Sequence, residues 1–95
     1  EVKEQFDLWV RVRDERKGMD LDKVHVTLQI WVEEEGRFVS YKEWVTDKDG
    51  LVRAEGLDCG KMLMRLERSQ YVSQDWTFRP FAGQLVRRAF NMLRL

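Results

Sequence analysis

The 95-residue sequence has one cysteine, one histidine and one proline. A single cysteine closes no internal disulfide, and one histidine with one cysteine makes no zinc site of the usual several-ligand kind. No apolar run approaches the roughly 18 residues of a membrane-spanning helix, so no membrane span is expected. Charge of one sign is also missing. Lys and Arg total 17 against 17 Asp and Glu, so net charge favours neither an anionic nor a cationic partner. No Gly-rich phosphate loop and no Ser-His-Asp series occurs, nor any internal repeat or low-complexity tract. The first residue is Glu1 rather than Met, and no signal peptide is expected. The expectation is one domain over 1–95, a mature chain or a piece of a larger protein.

What is present is apolar and aromatic. Hydrophobic residues make up 43% and aromatics 12%, too much for a disordered tail. Gly18, Gly36, Gly50, Gly56, Gly60 and Gly83 divide the chain into short segments, as turns do in an all-β protein.

Those segments alternate. Phe6, Leu8, Val10 and Val12 form one stripe of 5–13, with Asp7, Trp9, Arg11 and Arg13 on the other. In 23–32, Val24, Val26, Leu28, Ile30 and Val32 oppose His25, Thr27, Gln29 and Trp31. Glu33-Glu34-Glu35-Gly36 reads as a hairpin turn, with 37–46 the returning strand. Asp47-Lys48-Asp49-Gly50 is a second turn before a short strand, 51–55. Gly56 to Gly60 brackets a third turn. Met62, Met64 and Leu66 stripe 61–68. Segment 75–81 is expected at a sheet edge, because Pro80 cannot donate to a ladder. The last stretch fits two readings. Leu85, Val86, Ala89, Phe90 and Leu93 have helical spacing, while Val86, Phe90 and Met92 after Gly83 suit a final strand.

Residues 46–71 carry a recognisable turn pattern. Thr46-Asp47-Lys48-Asp49-Gly50 precedes a strand, then come Gly56-Leu57-Asp58-Cys59-Gly60-Lys61-Met62, Leu66-Glu67-Arg68 and Tyr71. Upstream, Leu21-Asp22-Lys23-Val24-His25-Val26-Thr27-Leu28 opens a strand. Together these resemble the carboxypeptidase-regulatory-like and Cna-B-type modules, small sandwiches of the transthyretin-like kind. The likeness covers about two thirds of the chain. It departs at Met62, where the family usually has Tyr, and at Gln70, where a Gly precedes the second Tyr. It implies a closing strand over 85–94, with Phe90-Asn91-Met92-Leu93 as the terminal run, and a secreted or cell-envelope setting. The expected fold is therefore all-β, a seven-stranded transthyretin- or immunoglobulin-like sandwich. The alternative is a sandwich carrying a C-terminal amphipathic helix at 84–95.

The residues that carry chemistry elsewhere are isolated here. Asp47-x-Asp49-Gly50 resembles the start of a calcium loop, but its flanks are strands and turn chemistry accounts for it. His25 stands in a strand without a metal-spaced companion. Cys59, between two turn glycines, has no base near it in sequence. Cna-B-type modules often carry an internal Lys–Asn or Lys–Asp isopeptide. By resemblance Glu67 takes the place of its acid and Asn91 of its amide. Arg11 and Arg13 stand where a Lys is required, and guanidinium is no nucleophile. Lys3 lies too early. No catalytic group, metal or cofactor is expected.

Aromatic side chains give the strongest site-like signal. Trp9 and Trp31 fall off the aliphatic stripes and belong on an outer sheet face. Strand 37–46 adds either Phe38 and Trp44 or Val39 and Tyr41 to it, according to register. Exposed apolar clusters mark partner contacts. The expectation is a non-catalytic interaction or spacer module that docks a neighbouring domain or subunit through Trp9, Trp31, Tyr41 and Trp44. Stacking of these rings on sugars, a carbohydrate-binding module, is the alternative. Acids exceed bases in 1–50 and bases exceed acids in 51–95. Arg79, Arg87, Arg88 and Arg94 amid aromatics raise nucleic acid as a partner, which overall neutrality disfavours.

Overall fold

A computed structural model describes residues 4–95. Seven strands follow one another: β1 (Gln5–Asp14), β2 (His25–Val32), β3 (Arg37–Val45), β4 (Leu51–Asp58), β5 (Met62–Glu67), β6 (Gln74–Phe78) and β7 (Leu85–Met92). They form two sheets, ordered β4-β1-β7 and β3-β2-β5-β6. The fold is the expected all-β sandwich. Among the described residues no helix is long and apolar enough to cross a membrane. The chain starts in the three-stranded sheet and returns to it with β4 and β7, so β1 ends between an antiparallel and a parallel neighbour.

Alternation decides what is buried. Phe6, Leu8, Val10 and Val12 of β1 are buried against Val24, Val26 and Leu28 and against Met62, Met64 and Leu66. Each such side chain contributes about 1.5–3 kcal/mol when fully buried. Val86, Phe90 and Met92 complete the layer from β7. Along one side aromatic rings close the core: Phe78 stacks on Trp76 at 4.2 Å and meets Phe6 edge-on at 6.1 Å.

The C-terminal stretch is a strand, not the alternative helix. Leu85, Ala89 and Leu93, which would form the apolar helical face, are all exposed, while Val86, Phe90 and Met92 point inward. Pairing with β1 from Asp7↔Leu85 to Asp14↔Met92 supplies the backbone partners that local sequence cannot reveal. Other boundaries move for local reasons. β4 runs on through Gly56 to Asp58 instead of turning there. Gly56 has φ +66° at a bulge opposite Asp7, whose Oδ1 accepts from the Gly56 N–H at 3.0 Å. β6 lies at a sheet edge as expected and stops at Phe78, two residues before Pro80.

Two loops are held by buried polar groups. Thr46 Oγ1 donates to the Leu21 carbonyl (2.8 Å) and accepts from the Val24 N–H (3.0 Å), fastening the segment before β2. The Asp14 carboxylate caps the turn after β1, accepting from the N–H groups of Arg16 and Lys17, and also accepts from the Tyr71 hydroxyl at 2.6 Å. Chiefly through the Tyr71 hydrogen bond, the Asp14 carboxyl is held below its ordinary value, and the Tyr71 hydroxyl is pushed up by the same contact. Because the folded-state value is depressed, the stabilisation by ionised Asp14 is complete above the unfolded value and is lost as pH falls through the folded one.

Gly50 sits where β1 and the turn before β4 meet. Its φ is +71°, and an added Cβ would lie 2.4 Å from the Val12 carbonyl oxygen. Gly50→Ala should therefore cost about 1–3 kcal/mol in urea unfolding, more than Gly36→Ala, whose φ is similar but whose surroundings are open. In acid titrations followed by tryptophan fluorescence, Tyr71→Phe should flatten the loss of stability below the ordinary Asp value of 3.8. An unchanged acid limb would show that the Asp14 contact is unimportant.

Candidate functional site

The four aromatic residues singled out from the sequence do not share one face. Trp9 lies on the outer face of the β4-β1-β7 sheet and Trp31 on the outer face of the other sheet. Tyr41 and Trp44 turn inward and pack against the core. The cause is a bulge in β3. Leu28 pairs with Lys42 and Gln29 with Ser40, so Tyr41 has no partner and the strand changes face there. Phe38 points out on one side of the bulge and Trp44 points in on the other. Tyr41 reaches across the sandwich, where its hydroxyl accepts from the Asp58 N–H at 2.9 Å. Its position is explained by a tie between the sheets.

Trp31 keeps an aromatic companion. Cross-strand pairing places it beside Phe38, edge to face at 5.2 Å, and Lys61 Nζ lies 5.1 Å from the indole and 5.7 Å from the phenyl ring. The result is a half-buried aromatic pair capped by one cation, near the β2–β3 turn.

Around Trp9 the chemistry is different. Arg53 of β4 and Arg87 of β7 pair with Trp9 in the ladder. Their guanidinium carbons lie 4.8 Å and 4.7 Å from the ring centroid. Such contacts contribute about 0.5–1 kcal/mol each when exposed. Arg11 and Arg13 continue the row along β1 and share Asp20, whose Oδ1 lies 3.1 Å from Arg11 and 3.4 Å from Arg13. Among the described residues Arg53 and Arg87 make no ion pair. A shallow hollow of about 330 Å³ opens here, floored by Leu51 and Ala89 beside Trp9. Sequence reasoning named Trp9 and, separately, Arg87, but neither Arg53 nor the grouping, because only strand pairing brings positions 9, 53 and 87 together.

Of the remaining candidates, His25 and Glu67 meet among the described residues, as cross-strand partners of β2 and β5 lining one hollow with Glu43. Asp47 Oδ1 accepts from the N–H groups of Asp49 and Leu51, so it serves the turn. Glu67 and Asn91 are exposed on opposite sheets, with Asn91 beside Arg13. They are not the buried acid and amide that the Cna-B resemblance implied. Lys3 lies outside the described residues. Cys59 adjoins Gly60, where an added Cβ would lie 3.1 Å from the Ile30 Cδ1. His25 is five residues further along β2, roughly 17 Å at 3.3 Å per residue. No Cys–His pair forms. Burial, followed by the charges of Glu4 and Asp58, pushes the Cys59 thiol up, which disfavours thiolate.

No protein-family model matches the sequence, and no curated protein matches it. Solved structures do resemble it. A streptococcal ancillary pilin superposes with TM-score 0.71 at 17% identity, covering 98% of this chain and 30% of that one. The pilus 2b backbone protein of group B streptococcus gives 0.66 at 13%, covering 93% and 40%. The 5-hydroxyisourate hydrolase of Klebsiella pneumoniae gives 0.62 at 18%, covering 87% and 89%. The chain thus spans well under half of either pilus protein. The shared property is the fold, an immunoglobulin- and transthyretin-like sandwich. At pH 7, Cys59 should react with a disulfide reagent more slowly than free cysteine; a faster reaction would reveal an activating group.

Proposed function

We propose that this chain is a non-catalytic structural and interaction module that docks a neighbouring domain or subunit through an outer sheet face. The observation that carries the reading is the outward pair Trp31–Phe38. Two large rings are held on the face of a sheet whose core is already complete. Half-exposed aromatics of this kind are the usual anchors of protein interfaces. The likeness to domains of two pilus proteins supports a structural role. The separation of Cys59 from His25 and the raised thiol support the absence of catalysis. Likeness to a hydrolase does not oppose it, since one fold hosts many functions.

Of the four residues expected to bind, the proposal keeps Trp31 as the anchor and Trp9 as a contact on the opposite face. It gives Tyr41 and Trp44 to the core. Trp31→Ala should cost about 1–2 kcal/mol of stability and leave the fold intact by circular dichroism. As bait in affinity capture it should lose the protein retained by the unmodified chain. Equal capture, or unfolding of the variant, would overturn the reading. Binding on a glycan array that is lost in the same variant would replace it with the carbohydrate one.

A further inference from the structure

The row of arginines around Trp9 asks for an occupant. Arg53 and Arg87 are held against the indole from the two neighbouring strands. Their planes are already oriented, so less side-chain freedom is lost when they bind. Their N–H groups have no carboxylate among the described residues. With the ring engaged by two guanidinium groups, sugar stacking on Trp9 would have to displace them. Paired, pre-oriented guanidinium groups instead suit carboxylates, which they bind bidentately.

The same chain carries a complementary group. Glu33, Glu34 and Glu35 occupy the exposed tip of the β2–β3 hairpin, and among the described residues only Glu35 has an ion partner there, Arg37 at 2.9 Å. Hydrogen bonds to the Val32 carbonyl from the N–H groups of Glu35 (3.2 Å) and Gly36 (2.9 Å) hold this tip as a tight turn. It belongs to the four-stranded sheet, whereas the arginines lie on the outer face of the three-stranded one. The tip cannot fold back through the sandwich to reach them. Any contact between these two charge clusters is between molecules.

We infer that the Arg53–Trp9–Arg87 face of one copy docks the Glu33–Glu34 tip of a second copy. The two patches differ, so the contact is heterologous and leaves a free tip at one end and a free face at the other. Assembly can continue beyond two copies. One hairpin tip buries little area, which places the contact at the weak end of specific interfaces, and its ion pairs are screened by salt. The contact takes Trp9, the secondary contact of the docking proposed above, but not its anchor Trp31, which lies on the other sheet.

Sedimentation velocity of the full chain, from about 10 μM to about 1 mM, tests this. At low ionic strength the mean mass should rise with concentration, and about 0.5 M NaCl should suppress the rise. The Arg53→Glu/Arg87→Glu variant and the Glu33→Arg/Glu34→Arg variant should each associate at least tenfold more weakly. Mixing the two should restore association, because each supplies the charge that the other lacks. Arg53→Gln/Arg87→Gln serves as a milder form if the reversal unfolds the chain. Trp31→Ala should associate like the unmodified protein, which separates this contact from the other face. A chain that stays monomeric at about 1 mM would overturn the inference. So would association that both variants retain, or a mixture that fails to associate. A monomer whose arginine face instead binds a short single-stranded DNA would assign the face to nucleic acid and overturn it as well.

Discussion

β1 is the strand on which the rest depends. It lies between β4 and β7, and its even-numbered side chains from Phe6 to Val12 are almost completely removed from solvent. Both flanking strands take their register from it, one antiparallel and one parallel. A slip of one residue would put Trp9, Arg11 and Arg13 into the core and expose four apolar side chains. Burial of a charge without a partner costs far more than a lost hydrophobic contact, so the register is strongly fixed. The same constraint creates the outer face. Once Leu8 and Val10 point inward, Trp9 and Arg11 must point outward, and strand pairing places Arg53 and Arg87 beside the indole.

The second sheet shows how one unpaired residue redistributes function. Without the bulge at Tyr41, β3 would keep one parity from end to end, and Phe38 and Trp44 would share a face. The bulge separates them. Phe38 remains outside with Trp31, while Trp44 joins the core and Tyr41 connects to β4 through its hydroxyl. The protein thus has two chemically different outer surfaces, an aromatic pair under a single lysine and an indole among arginines.

Similarity of fold to pilus proteins and to a hydrolase shows how little the scaffold alone says about activity. Two carboxylates serve turns in this chain. Asp47 caps a turn, Asp14 fastens Tyr71, and Cys59 lies far along the sandwich from His25.

The sequence by itself determined the layers. Period-two stripes in 5–13 and 23–32, turn residues at Gly36 and Gly50, and the Met62–Met64–Leu66 stripe were legible because alternation and turn chemistry are local properties. Local properties also placed Trp9 and Trp31 outside. Tertiary structure alone decided the rest. Val86 and Phe90 satisfy both helical and strand periods, and only the ladder with β1 made that segment a strand. Tyr41 and Trp44 were drawn inward by a bulge that no local signal marked. The gathering of Trp9, Arg53 and Arg87 joins residues far apart in the chain. Their proximity follows from which strands pair, and that depends on how the whole core closes.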